Sequence, residues 1–149
     1  MKFIGDDETV GRALFEPDWD PSVKRLTPSA FTRNNTSVTR LLEGEPTLIS
    51  HLKKDVENDK VKVKAVGLIK VSQIKKIGLE NETKIFFEVN EAITDSNPHH
   101  AEIMPFESEA KNLLKKSVSR GVSKKIISAL NLLIVDSNGS INERIESGT

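Results

Sequence analysis

At 149 residues the chain is long enough for one domain to bury most of its apolar surface without a disulfide or a structural metal. Its 22 basic side chains balance 22 acidic ones, which excludes the strong overall positive field of a non-specific nucleic-acid binder, although a local basic face is compatible with that balance. The absence of cysteine excludes disulfides, thiolate nucleophiles and Cys-rich zinc sites.

Met1 to Glu8 turns acidic before an apolar signal core can form, and no run approaches the roughly 18 apolar residues of a membrane span, so a soluble, cytoplasmic protein is expected. The first forty residues, with Pro17, Pro21 and Pro28, read as loops, and Pro17-Asp18-Trp19-Asp20-Pro21 as an irregular segment whose Trp19 plugs the core. A helix is expected from Glu45 to about Asn58. Pro46 suits its first turn, and Leu48, Ile49, Leu52 and Val56 make one apolar stripe.

Val61, Val63 and Ala65 alternate with lysines and lead into the apolar run Val66 to Val71, which predicts a strand. Ser72 is placed to start a short helical turn with Ile74 and Ile77 inward and Gly78 at its end. Lys84 to Val89 and His100 to Met104 read as strands, the second closed by Pro105. A helix is expected from Ser108 to Gly121 with Ala110, Leu113, Leu114 and Ser117 or Val118 inward, then another to about Leu132, then a strand turning at Asn138-Gly139. This pattern predicts the α+β class: a single compact domain with a small mixed sheet flanked by two to three helices. Residues 1–121 form its core, and residues 122–149 form a C-terminal extension packed on it, with Glu146 to Thr149 frayed.

No complete catalytic signature is present. His99 and His100 are adjacent and so face opposite sides of an extended chain, whereas His100 and Glu102 share a face, where a carboxylate could orient an imidazole for proton transfer. No second metal ligand is signalled near them, and none is expected to bind. His51 falls on the polar side of its helix and reads as surface. Arg12 and Arg40, with Ser37, offer guanidinium forks and a hydroxyl for a phosphate-like anion, so Arg12, Ser37, Arg40 and His99 are candidate ligand-binding residues. His100 and Glu102 are catalytic candidates if the protein is an enzyme. The lysine pairs and the run Lys60 to Lys64 read as solvated faces, because only Phe86 and Phe87, of the aromatics a nucleic-acid groove needs for stacking, stand near any such cluster, and at least one of them must be core.

Thr27-Pro28-Ser29-Ala30-Phe31, Ser37-Val38 with Arg40, Gly67-Leu68 and Pro98-His99-His100-Ala101-Glu102-Ile103 occur in this order. Together they resemble a group of small uncharacterised bacterial proteins over roughly Arg12 to Gly121. The order of Arg12, Ser37, the helix from Pro46, Val66 to Gly78 and His100 to Met104 is similar to the ADP-ribosyltransferase-like fold, as in RNA 2′-phosphotransferases, although that fold's His-Gly-Thr-like motif is absent. The first resemblance implies a bacterial or phage-related intracellular protein; with balanced charge, no cysteine and no complete catalytic constellation, a binding role without a cofactor and with a protein partner, as in a toxin–antitoxin or phage-defence system, is expected. An exposed apolar patch from Ile126 to Val135 would serve such a partner. The second implies an alternative, an enzyme using NAD or another nucleotide, with Arg12 and Arg40 on phosphate, Ser37 on ribose or amide, and His100 with Glu102 at the reacting group.

Overall fold

In the computed structural model, which describes residues 1–109 and 112–147, seven strands form one antiparallel sheet. The strands are β1 (Thr9–Leu14), β4 (Thr36–Arg40), β5 (Ala65–Lys70), β6 (Phe86–Glu91), β7 (His100–Phe106), β8 (Asn131–Val135) and β9 (Ile141–Ile145), in the order β6-β7-β4-β1-β5-β8-β9. A small hairpin, β2 (Trp19–Asp20) with β3 (Arg25–Leu26), stands apart from it. Three helices, α1 (Glu45–Val56), α2 (Val71–Glu80) and α3 (Arg120–Ala129), complete the α+β domain. Among the described residues no helix is long and apolar enough to cross a membrane.

The sheet is larger than expected and wholly antiparallel, because two strands come from the proline-rich N-terminal third that reads as loop. β1 lies at the centre. Alternation sends Val10, Arg12 and Leu14 to one face and Gly11 and Ala13 to the other. The small residues are a packing requirement, since a β-carbon at Gly11 would meet the Leu48 methyls of α1 at 3.0 Å. On that face Leu48, Ile49 and Leu52 pack with Ala13, Val66, Leu68 and Leu133. Each such buried aliphatic side chain contributes roughly 1.5–3 kcal/mol. On the opposite face α2 and α3 bury Ile74, Val122 and Ile126 against Val10, Val38, Val89 and Ile103. Trp19 closes one end over Leu14 and Ala65, in the core role expected for it, though from the β2–β3 hairpin rather than an irregular loop.

Several boundaries differ from the sequence expectation for physical reasons. Residues 61–64 precede β5 rather than belonging to it. Gly78 lies inside α2, where it lets the helix approach β6: a β-carbon there would sit 2.3 Å from the Ile85 carbonyl oxygen. β7 continues through Pro105 to Phe106. This is tolerated because β4 pairs no further along it than Ile103, leaving one side free of a ladder at the proline. The helix expected over Ser108 to Gly121 is not formed in the described residues. Leu113 bridges Phe106, the Leu114 amide donates to the Pro105 carbonyl at 3.0 Å, and α3 starts only after Ser119, whose hydroxyl accepts from the Val122 amide. Ala110 lies outside the described residues.

Residues 120–145 supply α3 and two strands of the main sheet, with β8 paired directly to β5. The hairpin at Asn138-Gly139 is present as expected, with Gly139 at φ +83° and the Asp136 carboxylate accepting from the Asn138 and Ser140 amides. Ile126, Leu130, Leu133 and Val135 are all buried. The segment expected to offer an apolar docking patch is therefore core.

Candidate functional site

The ladder between β1 and β4 has only two rungs, Val10 with Arg40 and Gly11 with Thr39, whereas β1 and β5 share six. Beyond Gly11 the two strands separate. The guanidinium of Arg12 takes up the gap, its Nη1 donating to the Ser37 carbonyl at 3.0 Å in place of a backbone amide. The wedge opens into a cleft of about 440 Å³. Its floor is Arg12, Ala13, Ser37 and Val38; Leu52, Asp55 and Val56 at the end of α1 form one wall. Thr94, Ser96 and His100 form another, and Phe15, Arg33 and Asn35 stand at the rim.

Arg12 is the unusual group. Its Cζ lies 5.6 Å from the centroid of the Phe31 ring, and it forms no ion pair among the described residues. Burial lowers its pKa from the ordinary value to about 10; the field of Asp18 opposes that shift and the field of Arg33 adds to it. The side chain remains cationic at neutral pH, held in a poorly solvated place without a carboxylate in contact. Phe31 is fixed in turn, because its amide donates to the hydroxyl of Ser123, a fully buried residue of α3.

The wall carried by residues 94–100 rests on Asn97, which is fully buried. Its Nδ2 donates to Thr39 Oγ1 at 2.7 Å and to Asp55 Oδ2 at 2.8 Å, and its Oδ1 accepts from the His99 amide at 2.9 Å. Ser96 Oγ donates to the other oxygen of Asp55 at 2.6 Å. Both Asp55 oxygens are thus occupied, which blunts the one carboxylate in the cleft. His100 Nδ1 lies 2.8 Å from the Ala92 carbonyl, so that nitrogen carries the hydrogen and Nε2 is the one left for a ligand.

The fold brings together Arg12, Ser37 and His100 of the residues singled out in the sequence. Arg40 is placed elsewhere. Because His100 pairs with Thr39, the next residue, Arg40, turns to the opposite face of the sheet. There its Nε and Nη2 donate to the two oxygens of Glu8, both at 2.8 Å, and its Nη1 to Glu91 at 3.0 Å. The Glu8 bond raises the Arg40 pKa, and the same bond lowers that of Glu8. This is a structural clamp, already neutralised.

His99 also lies off the cleft, with Nε2 3.4 Å from Glu43 and its ring edge-on to His51 at 5.0 Å. His51 is accordingly half-buried rather than on the surface. Glu102 sits opposite Ser37 on β7, on the face shared with His100, but does not line the cleft. Among the described residues no group of three His, Asp or Glu is placed to hold a metal ion.

Sequence reasoning did not single out Arg33, Asp55, Thr94, Ser96 or Phe15. The polar turn Arg33-Asn34-Asn35 was the available signal for the first. The chain matches no known family model, no curated protein and no solved structure.

Proposed function

We propose that this protein works by binding, and that the wedge between β1 and β4 holds the anionic group of a ligand, with phosphate the group that fits best. The observation that carries this reading is Arg12: a half-buried guanidinium, its pKa lowered by burial, kept without a carboxylate partner at the floor of a cleft, with a second cation, Arg33, at its rim. Ser37, Thr94 and Ser96 add hydroxyls, and His100 Nε2 a further polar contact. A volume of about 440 Å³ suits a nucleotide-sized ligand, within the roughly 300–1,000 Å³ common for such sites.

Binding is favoured over transfer chemistry because the hydroxyl bonded to a carboxylate in the cleft, Ser96 on Asp55, meets an acid whose other oxygen is held by Asn97, and His100 is bonded to a backbone carbonyl rather than to a hydroxyl. The alternative of an ADP-ribosyltransferase-like enzyme using NAD asked Arg40 to hold phosphate, and Arg40 is committed to Glu8 and Glu91. The wider setting drawn from the resemblance, a bacterial partner subunit in a toxin–antitoxin or phage-defence system, belongs to this proposal, and recovery of a stoichiometric protein from the native host tests it.

The test of the site itself is thermal melting with a nucleoside monophosphate as probe. At about 100 times its Kd the probe adds about 2.7 kcal/mol, a rise in Tm of roughly 5–10 °C for a domain of this size. Arg12→Gln is expected to abolish that rise. An unchanged Tm in the wild-type protein, or a full rise in the variant, refutes the reading.

A further inference from the structure

Phe15 lines two hollows at once. On one side is the wedge with Arg12 and Arg33; on the other is a shallower hollow of about 190 Å³ lined by Lys60, Lys62, Lys64 and Glu16. From this juxtaposition we infer that the ligand is a short segment of single-stranded nucleic acid, with a base stacked on Phe15 and phosphates held in the two cationic hollows to either side. The inference rests on the anion reading of Arg12 and extends it.

The placement follows from the chain. Phe15 is the first residue after β1, and the Lys64 amide donates to the carbonyl of Leu14 at 2.9 Å, which sets the approach to β5 beside it. In that approach Val63 is buried, and Lys60, Lys62 and Lys64 are exposed. None of the three lysines forms an ion pair among the described residues, although Lys62 lies within the field of Glu57. The two hollows together present five cations, Arg12, Arg33, Lys60, Lys62 and Lys64, against two carboxylates, Glu16 and Asp55, and both oxygens of Asp55 accept hydrogen bonds.

The order of these groups selects the ligand class. A nucleoside polyphosphate carries its charges contiguously, with its ring at one end. A single strand alternates phosphate, base, phosphate, which matches cation, aromatic, cation. Folding thus supplies the aromatic that the lysine run lacks in sequence. The chain's zero net charge limits the effect to one local track, so duplex DNA, which needs a broad positive face, is not the expected ligand.

The experiment is fluorescence anisotropy of a short labelled oligothymidylate, and of its uridine counterpart, across a salt series, with a nucleoside monophosphate and a duplex as comparison probes. The wild-type protein is expected to prefer at least one single strand to both. The double variant Lys60→Gln/Lys62→Gln is expected to flatten the slope of log affinity against log salt by about 0.7 per lysine and to leave nucleoside monophosphate binding unchanged. Phe15→Leu keeps apolar bulk against α1 and is expected to weaken strand binding about five-fold or more. Lys125→Gln, on α3 across the sheet, is expected to change nothing.

Equal affinity for duplex, or an unaltered salt slope in the double variant, overturns the inference. If the nucleoside monophosphate binds but neither strand is preferred, the nucleic-acid inference falls and the anion site stands. If no probe binds, both fall.

Discussion

Arg12 on β1 and Arg40 on the neighbouring β4 stand in the same seam of the sheet, yet their removal is expected to have opposite consequences. Depression of the Arg12 pKa from its ordinary value to about 10 corresponds to a penalty of about 3 kcal/mol for holding the charge in place. Against this stand one charged hydrogen bond to the Ser37 carbonyl, worth roughly 1.5–3 kcal/mol, and a cation–π contact with Phe31, worth roughly 0.5–2 kcal/mol. These contributions nearly cancel, so Arg12→Met is expected to change the stability of the unliganded protein by less than about 1 kcal/mol and to eliminate stabilisation by a nucleoside monophosphate.

Arg40→Met removes three charged hydrogen bonds and leaves Glu8 and Glu91 facing each other half-buried, a loss of about 2–4 kcal/mol. Ligand stabilisation should survive that change. Urea denaturation of both variants with and without the probe gives all four values. A loss above about 3 kcal/mol for Arg12→Met would refute the reasoning, because it would mean that Arg12 is a structural group rather than one kept at a cost for a ligand.

Three further outcomes are expected. Glu8 has its pKa lowered by the bond from Arg40, so its contribution is fully present above the ordinary glutamate range and lost as pH falls through the folded value. The unfolded chain then binds more protons than the folded one, so wild-type stability should fall more steeply below about pH 4.5 than that of Arg40→Met, as followed by urea midpoints across acid pH. Asn97→Ala strands Thr39 and frees one oxygen of Asp55; a loss of about 2–3 kcal/mol is expected in the same assay, with weaker probe binding as the wall of Thr94 and Ser96 detaches. Gly78→Ala drives a β-carbon to 2.3 Å from the Ile85 carbonyl and 2.6 Å from the Phe87 ring, and should cost about 3 kcal/mol or more by thermal melting.

The elements legible in the sequence are those whose apolar residues make a clear pattern. α1 with Leu48, Ile49 and Leu52 and β6 with Phe87 and Val89 are buried on one side and recur with a period, while β5, buried on both faces, is a continuous apolar run. The Asn138-Gly139 hairpin was legible from its turn chemistry. β1 was not, because its α1-facing positions must be as small as Gly11 and Ala13, and its other face carries Arg12, which leaves no alternation of apolar and polar residues to detect. Ser108 to Gly121 misled in the opposite direction: Leu113 and Leu114 have helical spacing, but their partners are Phe106 and Pro105 of β7. Of the site, Arg12, Ser37 and His100 were recoverable as residue types suited to an anion. The separation of β1 from β4 that makes them one cleft is a property of strand register, which no local pattern encodes.

The two-rung seam has a consequence for motion. It divides the sheet into a block of β6, β7 and β4 and a block of β1, β5, β8 and β9, joined at one end by the Arg40 clamp and at the other by the Arg12 bond to Ser37. Amide hydrogens along the outer part of this junction should exchange with solvent sooner than those of the β1–β5 ladder. An anion that engages Arg12 would bear on the junction itself, so occupancy and the stiffness between the halves of the molecule become a single quantity.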